Sequence, residues 1–260
     1  QAKACGYYPV EGEWNGNQMS PFEIEKIYLD EKAENDRVTQ NVLMNLSDLP
    51  VERVTDKRSL IKQFLSLSDP IGIGKKNLLI TPFYGKRLKP CPGTSNHICC
   101  GYHVVNTITN CPMDCSYCVL QGYLNNPFVT LYSNWEDLLQ EIEAFLSSHP
   151  QSLLRLGTGE LSDSLALDTL FPISPVLIPF FAQRNHAFLE LKTKSAEVDH
   201  LLHLDHRKRT IISWSLNPTR MIEEEETGTA SLGKRIEAAQ KCQERGYPLG
   251  FHFDPIIYYQ

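Results

Sequence analysis

Along this chain, short runs of β-branched and aliphatic residues alternate with longer stretches whose apolar positions recur every three or four residues. The alternation is most regular in the second half. Residues 104–109 form a β-branched run. Beyond it, Trp135, Leu138, Leu139, Ile142, Phe145 and Leu146 fall on one helical face, and Ser133 with Glu136 has the spacing of a capping box. A short buried-type strand over residues 153–156 ends in Gly157-Thr158-Gly159-Glu160. Helix-compatible sequence around Pro179 leads to a strand over 187–191, and Ser195 is placed to cap a helix carrying Val198, Leu201 and Leu202. Then come a strand over 210–216, a helix from about Ser231 that stops at Gly246, and a strand over 248–254. The first half is less regular. Residues 26–30, 51–55 and 78–81 have strand character, the polar run to Leu46 is helix-compatible, and residues 81–101 carry the breakers Pro82, Gly85, Pro90, Pro92 and Gly93, as a connecting loop does.

Strands that alternate with helices pair in parallel, because each return to a parallel neighbour needs a crossover. The pattern predicts an α/β fold: a partial (β/α) barrel of five strands over residues 102–260, preceded by a small α/β region and connecting loop over residues 1–101. Functional loops belong at the C-terminal ends of such strands. The sequence stops just after the fifth strand, so either the barrel is partial or a further C-terminal portion is absent.

Composition narrows the setting. The 260 residues are 42% hydrophobic, yet no stretch approaches the ~20 apolar residues of a membrane span. The most apolar segment, residues 171–181, is interrupted by Pro172, Pro175 and Pro179. Residues 1–20 lack the basic-then-apolar pattern of a secretory signal, and a cytoplasmic location is the expectation. The formal charge of −6 provides no general attraction for phosphate backbones. Local basic groups at Lys86, Arg87 and Lys89 and at residues 206–209, and the acidic run 223–226, are expected to be solvated surface.

Eight cysteines in a chain of this length without an export signal point to metal or redox use rather than a disulfide scaffold. Six of them, Cys91, Cys99, Cys100, Cys111, Cys115 and Cys118, share one stretch. Cys111-Pro-Met-Asp-Cys115-Ser-Tyr-Cys118 offers three thiolates at CxxxCxxC spacing directly after a strand. A [4Fe–4S] cluster takes four ligands, usually thiolates, so three from the protein leave one iron open to a molecule that chelates through amino and carboxylate groups. The competing readings are a structural zinc site closed by His97, Cys99 or Cys100, and a chance grouping of buried thiols.

CPMDCSYC ahead of a βα repeat resembles the cluster loop of the radical S-adenosylmethionine (SAM) superfamily. The stretches Thr193-Lys194 through Leu202, Trp214-Ser215-Leu216-Asn217, and Gly228 through Phe251 resemble, in order and spacing, the spore photoproduct lyase family, whose members repair DNA by reversing a thymine dimer through hydrogen-atom abstraction. The resemblance implies a [4Fe–4S] cluster on Cys111, Cys115 and Cys118, SAM as cofactor, a reductant of flavodoxin or ferredoxin type, and DNA as the first substrate expectation. It implies that Tyr117 stands near the cofactor, that Lys194 and Ser215, with Asn217 beside them, contact SAM, and that Gly157-Thr158-Gly159-Glu160 receives the methionine amino group. A close glycine backbone and a carboxylate suit an ammonium. Asp254 ends the fifth strand and faces the same rim.

Two positions depart from the family pattern. Glu160 stands where the lyase has the cysteine that returns a hydrogen atom, and Val119 stands where it has a tyrosine after the last cluster cysteine. A carboxylate does not readily donate a hydrogen atom, so Cys91, Cys99 and Cys100 become candidate donors. A different nucleic acid, a peptide or a metabolite remains the alternative substrate, and the oligomeric state is left open.

Overall fold

The computed structural model describes Phe22, Ile24 to Gly93, Ile98 and Cys100 to Tyr258. The leading segment over residues 1–20, His97 and Cys99 lie outside the described residues.

The first region builds a parallel sheet. Strand β1 (Lys26–Asp30) is followed by helix α1 (Arg37–Asn45), β2 (Val51–Val54), α2 (Lys57–Leu65), α3 (Pro70–Lys75) and β3 (Asn77–Thr81). All five β3 residues are buried, as in a strand covered on both faces: Leu78, Leu79 and Ile80 form its apolar centre between the polar ends Asn77 and Thr81. Asp56 caps α2 by accepting from the amides of Arg58 and Ser59, and Asp69 caps α3 ahead of Pro70.

Beyond β3 the chain passes between two sheets. β4 (Leu88–Pro90) and β5 (Tyr102–Val105) form an antiparallel pair at the edge of the second sheet. β6 (Ile108–Thr109) then returns to the first sheet, where it lies antiparallel to β8 (Val129–Tyr132); between them lie β7 (Asp114–Cys115) and α4 (Leu120–Tyr123). The first sheet therefore has the order β2-β1-β3-β8-β6. The single strand expected over 104–109 is two strands in different sheets, and the expected loop over 81–101 contains β4.

The remaining elements are α5 (Trp135–Ser148), β9 (Leu154–Gly157), α6 (Ser174–Ala182), β10 (Ala187–Thr193), β11 (Thr210–Ser215), α7 (Thr219–Glu225), β12 (Glu226–Thr227), α8 (Leu232–Glu244) and β13 (Leu249–His252). The second sheet runs β13-β11-β10-β9-β5-β4, in which β5, β9, β10, β11 and β13 run parallel to one another and only β4 is antiparallel. Five sequential parallel strands give an open, partial (β/α) barrel. One apolar core spans both sheets, joining Ile27, Leu29 and Ile80 to Leu156, Leu189 and Trp214.

Several local expectations resolve differently. α5 buries the predicted face, but its start is not a capping box: the Ser133 hydroxyl donates to Asp36 at 2.5 Å, and Asn134 takes the cap position. Ser195 caps no helix: its hydroxyl accepts from the Glu197 amide, and only a single tight turn, Asp199–Leu201, follows, with Val198 at its cap position. α8 conforms, with Ser231 accepting from the Lys234 amide and Gly246 in the left-handed region at φ 83°. Among the basic groups expected at the surface, Arg87 is 1% exposed and donates to the Asn134 carbonyl at 2.7 Å. No described helix is long and apolar enough to cross a membrane.

Candidate active site

The cysteine loop begins where β6 ends. Asn110 adopts φ 70°, a conformation asparagine tolerates better than most residues, and its side chain holds both flanks: Oδ1 accepts from the Cys111 amide at 2.9 Å and Nδ2 donates to the Pro127 carbonyl at 2.7 Å. Cys118 and Cys115 are joined by a backbone hydrogen bond that closes the second turn at 3.0 Å. Met113 and Cys115 pack with Ala166 in a small apolar cluster to which Cys111, Tyr117 and Cys118 add.

The loop is held from two sides. Lys75, buried at the end of α3, donates to the Met113 carbonyl at 2.8 Å and to Asp114 at 2.5 Å. On the other side β7 pairs with β12, setting Cys115 opposite Glu226. Glu226 was expected at the surface with its acidic neighbours, yet it is 2% exposed. Its Oε1 accepts from the Tyr117 hydroxyl at 2.5 Å and from Asn217 at 2.8 Å, and its Oε2 pairs with the fully buried Arg235 at 2.5 Å.

All three cysteines line one cavity of about 200 Å³, with Tyr117, Gly159, Glu160, Ser162, Asp163, Lys192, Lys194, Ser215 and Asp254 on its other walls. The opposing groups come from the C-terminal ends of β9, β10, β11 and β13, the rim at which open sheets and barrels gather ligand groups. Asp163 organises that rim: its carboxylate accepts from the Thr193 hydroxyl at 2.6 Å and from the Lys194 amide at 2.7 Å. The Lys194 ammonium lies 5.8 Å from the Tyr117 ring centre.

Electrostatics follow burial. Cys111 is pushed up to about 12 by burial and by the charge of Asp163, against hydrogen bonds from the backbone at Met113 and Asp163. Burial pushes Cys115 up to about 11, with Lys194 opposing. Without a metal these thiols keep their protons, and ligation must displace them. Glu160 is raised by burial, with Lys89 lowering it. For Glu226 burial acts upward, but the hydrogen bonds from Tyr117, Asn217 and Arg235 and the charge of Arg235 outweigh it, and the carboxyl lies below its ordinary value.

The expected site residues divide by position. Cys111, Cys115, Cys118, Tyr117, Gly159, Glu160, Lys194 and Ser215 share the cavity. Gly157 and Thr158 stand behind it: a Cβ on Gly157 would come within 1.7 Å of the Tyr102 hydroxyl, and Thr158 donates to Ser164 at 2.8 Å. Asn217 faces Glu226 rather than the cavity. Cys100 precedes β5, at the opposite end of the strands from the cysteine loop, and its sulfur is 3.5 Å from an Arg155 nitrogen. Sequence reasoning missed Lys75, Asp163, Glu226 and Arg235. A signal existed for Arg235: it shares the buried stripe of α8 with Ala238, Ala239 and Cys242, and a cation at such a position requires a buried partner.

A family model described as spore photoproduct lyase matches residues 96–260. The chain belongs to the spore photoproduct lyase family. Spore photoproduct lyase of Bacillus subtilis (strain 168) is 34% identical over 153 residues, 58% of this chain and 45% of that protein. Spore photoproduct lyase of Geobacillus sp. (strain Y412MC61) is 30% identical over 155 residues, 59% of this chain and 46% of that protein. The chain spans about half the length of these curated relatives. A solved spore photoproduct lyase mutant with dinucleoside spore photoproduct superposes with a TM-score of 0.82 at 22% identity, covering 92% of this chain and 70% of that one. A double mutant with bound AdoMet and the same photoproduct gives 0.80. At this identity the likeness establishes the fold, including the first region that the family match does not reach.

The donor set fits the cluster expected in this spore photoproduct lyase family member. Among the described residues no group of three His, Cys, Asp or Glu side chains could hold a single metal ion. In an iron–sulfur cluster each thiolate binds a different iron, and three thiols lining one cavity supply the soft sulfur donors that such a cluster takes.

Proposed function

We propose that this chain is a radical SAM enzyme whose cluster is held by Cys111, Cys115 and Cys118, and that the cavity opposite them receives SAM. The observation that carries this reading is the shared cavity: three thiols on one wall, and Lys194, Ser215 and Glu160 on the others, at the C-terminal rim of a parallel sheet. When bound, cluster and SAM supply reductive cleavage to methionine and a 5′-deoxyadenosyl radical that abstracts a hydrogen atom.

The chain's own groups supply binding and orientation. Lys194 offers an ammonium to the methionine carboxylate, and Ser215 a hydroxyl to the carboxylate or ribose. Glu160 offers a carboxylate to the methionine ammonium; burial raises its proton affinity when alone, and a neighbouring cation would favour the charged form. Gly159 brings the backbone close, since a Cβ there would meet Lys192 and Ser164 at 3.1 Å. Tyr117 stands at the cavity wall, its hydroxyl fixed by Glu226. Apolar packing around Met113 and Ala166 limits water beside the thiols.

Family membership favours DNA photoproduct as substrate and a flavodoxin or ferredoxin as electron source, in a cytoplasmic setting. Residues 1–101 would then form the lead-in region and 102–260 the catalytic barrel, apart from the exchange in which β4 joins the barrel sheet and β6 and β8 join the first sheet. The position of Glu160 favours a second reading, in which the same radical acts on another nucleic acid, a peptide or a metabolite, because a carboxylate does not return hydrogen as the family's cysteine does. Cys100 would serve as donor only to a substrate extending to the other end of the strands.

Anaerobically reconstituted protein with dithionite is expected to release 5′-deoxyadenosine from SAM, and Cys115→Ala to release none. Absence of 5′-deoxyadenosine from protein carrying about four irons would sink the radical SAM assignment. Photoproduct-containing oligonucleotides separate the substrates: thymine recovery supports repair, while 5′-deoxyadenosine formation without thymine recovery supports the second reading.

A further inference from the structure

The cavity has two walls of different origin, and one buried ion pair ties them together. The geometry points to Glu226 and Arg235 as positioning residues that hold the cysteine loop in register with the cofactor-facing strand ends, an inference that rests on the proposed function.

Arg235 spends every nitrogen on this junction. Its Nε donates to the Ala230 carbonyl at 2.8 Å, one terminal nitrogen donates to the Ser215 carbonyl at 2.7 Å, and the other pairs with Glu226 at 2.5 Å and with the Thr229 hydroxyl at 2.7 Å. Ser215 is one of the cavity's polar walls. The adjoining segment reaches the other, since the Ala230 amide donates to the Lys194 carbonyl at 3.0 Å. Arg235 and Ala230 thus fix the backbones from which Ser215 and Lys194 project.

Glu226 carries the same restraint to the cysteines. The β7–β12 ladder is only two residues long, and such a ribbon is not stable by itself. Its neighbours reinforce it: the Ser116 amide donates to the Glu225 carbonyl at 2.9 Å, the Ser116 hydroxyl donates to the Glu225 carboxylate, and the Tyr117 hydroxyl donates to Glu226. Tyr117 lies between two cysteines, so a contact that fixes its ring also limits Cys115 and Cys118. Asn217, from the segment after β11, meets the same carboxylate oxygen. Three chain segments therefore converge on one carboxylate that does not itself line the cavity. A guanidinium with each nitrogen on a fixed acceptor, opposite a carboxylate with three donors, fixes direction as well as distance, which a purely apolar contact would not do.

Hydrogen–deuterium exchange on the metal-free full chain reads this restraint without any turnover. Glu226→Gln is expected to speed exchange at residues 114–118 by roughly tenfold or more over and above any acceleration that α5 and β3 share through the lower overall stability. Tyr117→Phe, which removes only the hydroxyl, is expected to speed the same segment to a smaller degree, and it serves as the test should Glu226→Gln not fold. On loaded protein, the spectrum of the reduced cluster should broaden in both variants and its response to added SAM should weaken, at an unchanged count of about four irons. Unchanged exchange over 114–118 in a folded variant overturns the proposal, as does acceleration spread equally over α5 and β3, which marks plain destabilisation. A wild-type chain that takes up no iron overturns the proposed function instead, and leaves the exchange result standing.

Discussion

The carboxylate of Glu226 stays charged inside the protein only because Tyr117, Asn217 and Arg235 all donate to it. Its folded-state pKa lies below the ordinary value near 4.5. A depressed carboxyl contributes stability that is fully present above its unfolded pKa and is lost as pH falls through the folded value. Urea unfolding between pH 7 and pH 3.5 should therefore show wild type losing stability below about pH 5, with a shallower loss in Glu226→Gln. At pH 7 that variant should be less stable by about 3–5 kcal/mol, because Arg235 is left buried and unpaired. Parallel pH curves for the two proteins would remove Glu226 from the account. The sequence showed four consecutive acids and no reason to single out the last. Glu226 is buried because α7 ends at Glu225 and the chain turns into β12 against the cysteine loop, a contact between residues more than a hundred apart that no local pattern records. The three cysteines were legible for the opposite reason: their spacing is local, and their chemistry needs no distant partner to be recognised.

At the scale of elements, the apolar face of α5, the start and stop of α8 at Ser231 and Gly246, and the five barrel strands could be read directly, since each is set by residues within or beside one element. What escaped was the path between elements. Nothing in the run 104–109 tells that Val105 ends one sheet and Ile108 begins in another, because β-branched residues suit both; tertiary pairing decides. Element ends also separate two uses of glycine. Gly246 follows α8 at φ 83° with open space around its Cβ position, so Gly246→Ala should cost only the left-handed backbone penalty, about 1–2 kcal/mol. Gly157 ends β9 under crowding: an added Cβ would meet the Tyr102 hydroxyl at 1.7 Å and the Glu190 carbonyl at 3.0 Å. Gly157→Ala should cost about 1–3 kcal/mol as overpacking. The additional change Tyr102→Phe should recover part of the loss at Gly157 and none at Gly246. Chemical denaturation of the four variants checks this, and equal behaviour of the two glycines toward Tyr102→Phe would contradict it.

For the whole molecule, the question is whether the two sheets behave as two units or one. The sequence pattern divides the chain near residue 101, where breakers accumulate. The chain path does not follow that division: β4 joins the second sheet, while β6 and β8 join the first. A single apolar core runs through both, and α5 contributes Trp135, Leu138 and Ile142 to it while its neighbours β8 and β9 lie in different sheets. An element whose buried face belongs to a shared core cannot leave with one sheet without exposing the other, and exposure of that area is unfavourable by about 25 cal/mol per Å². The metal-free chain is therefore expected to unfold in one transition over the described residues. Trp135, on α5, and Trp214, fully buried in β11, are natural reporters of different places. Fluorescence of variants that keep one of these two tryptophans should give urea midpoints that agree with each other and with far-ultraviolet circular dichroism, once each is referenced to its own variant. If the Trp135 signal is lost at clearly lower denaturant than circular dichroism of the same variant, the first sheet opens separately. The cysteine loop, bridged to the first region by Lys75 and to the barrel by Glu226, would then span a mobile joint rather than a rigid one.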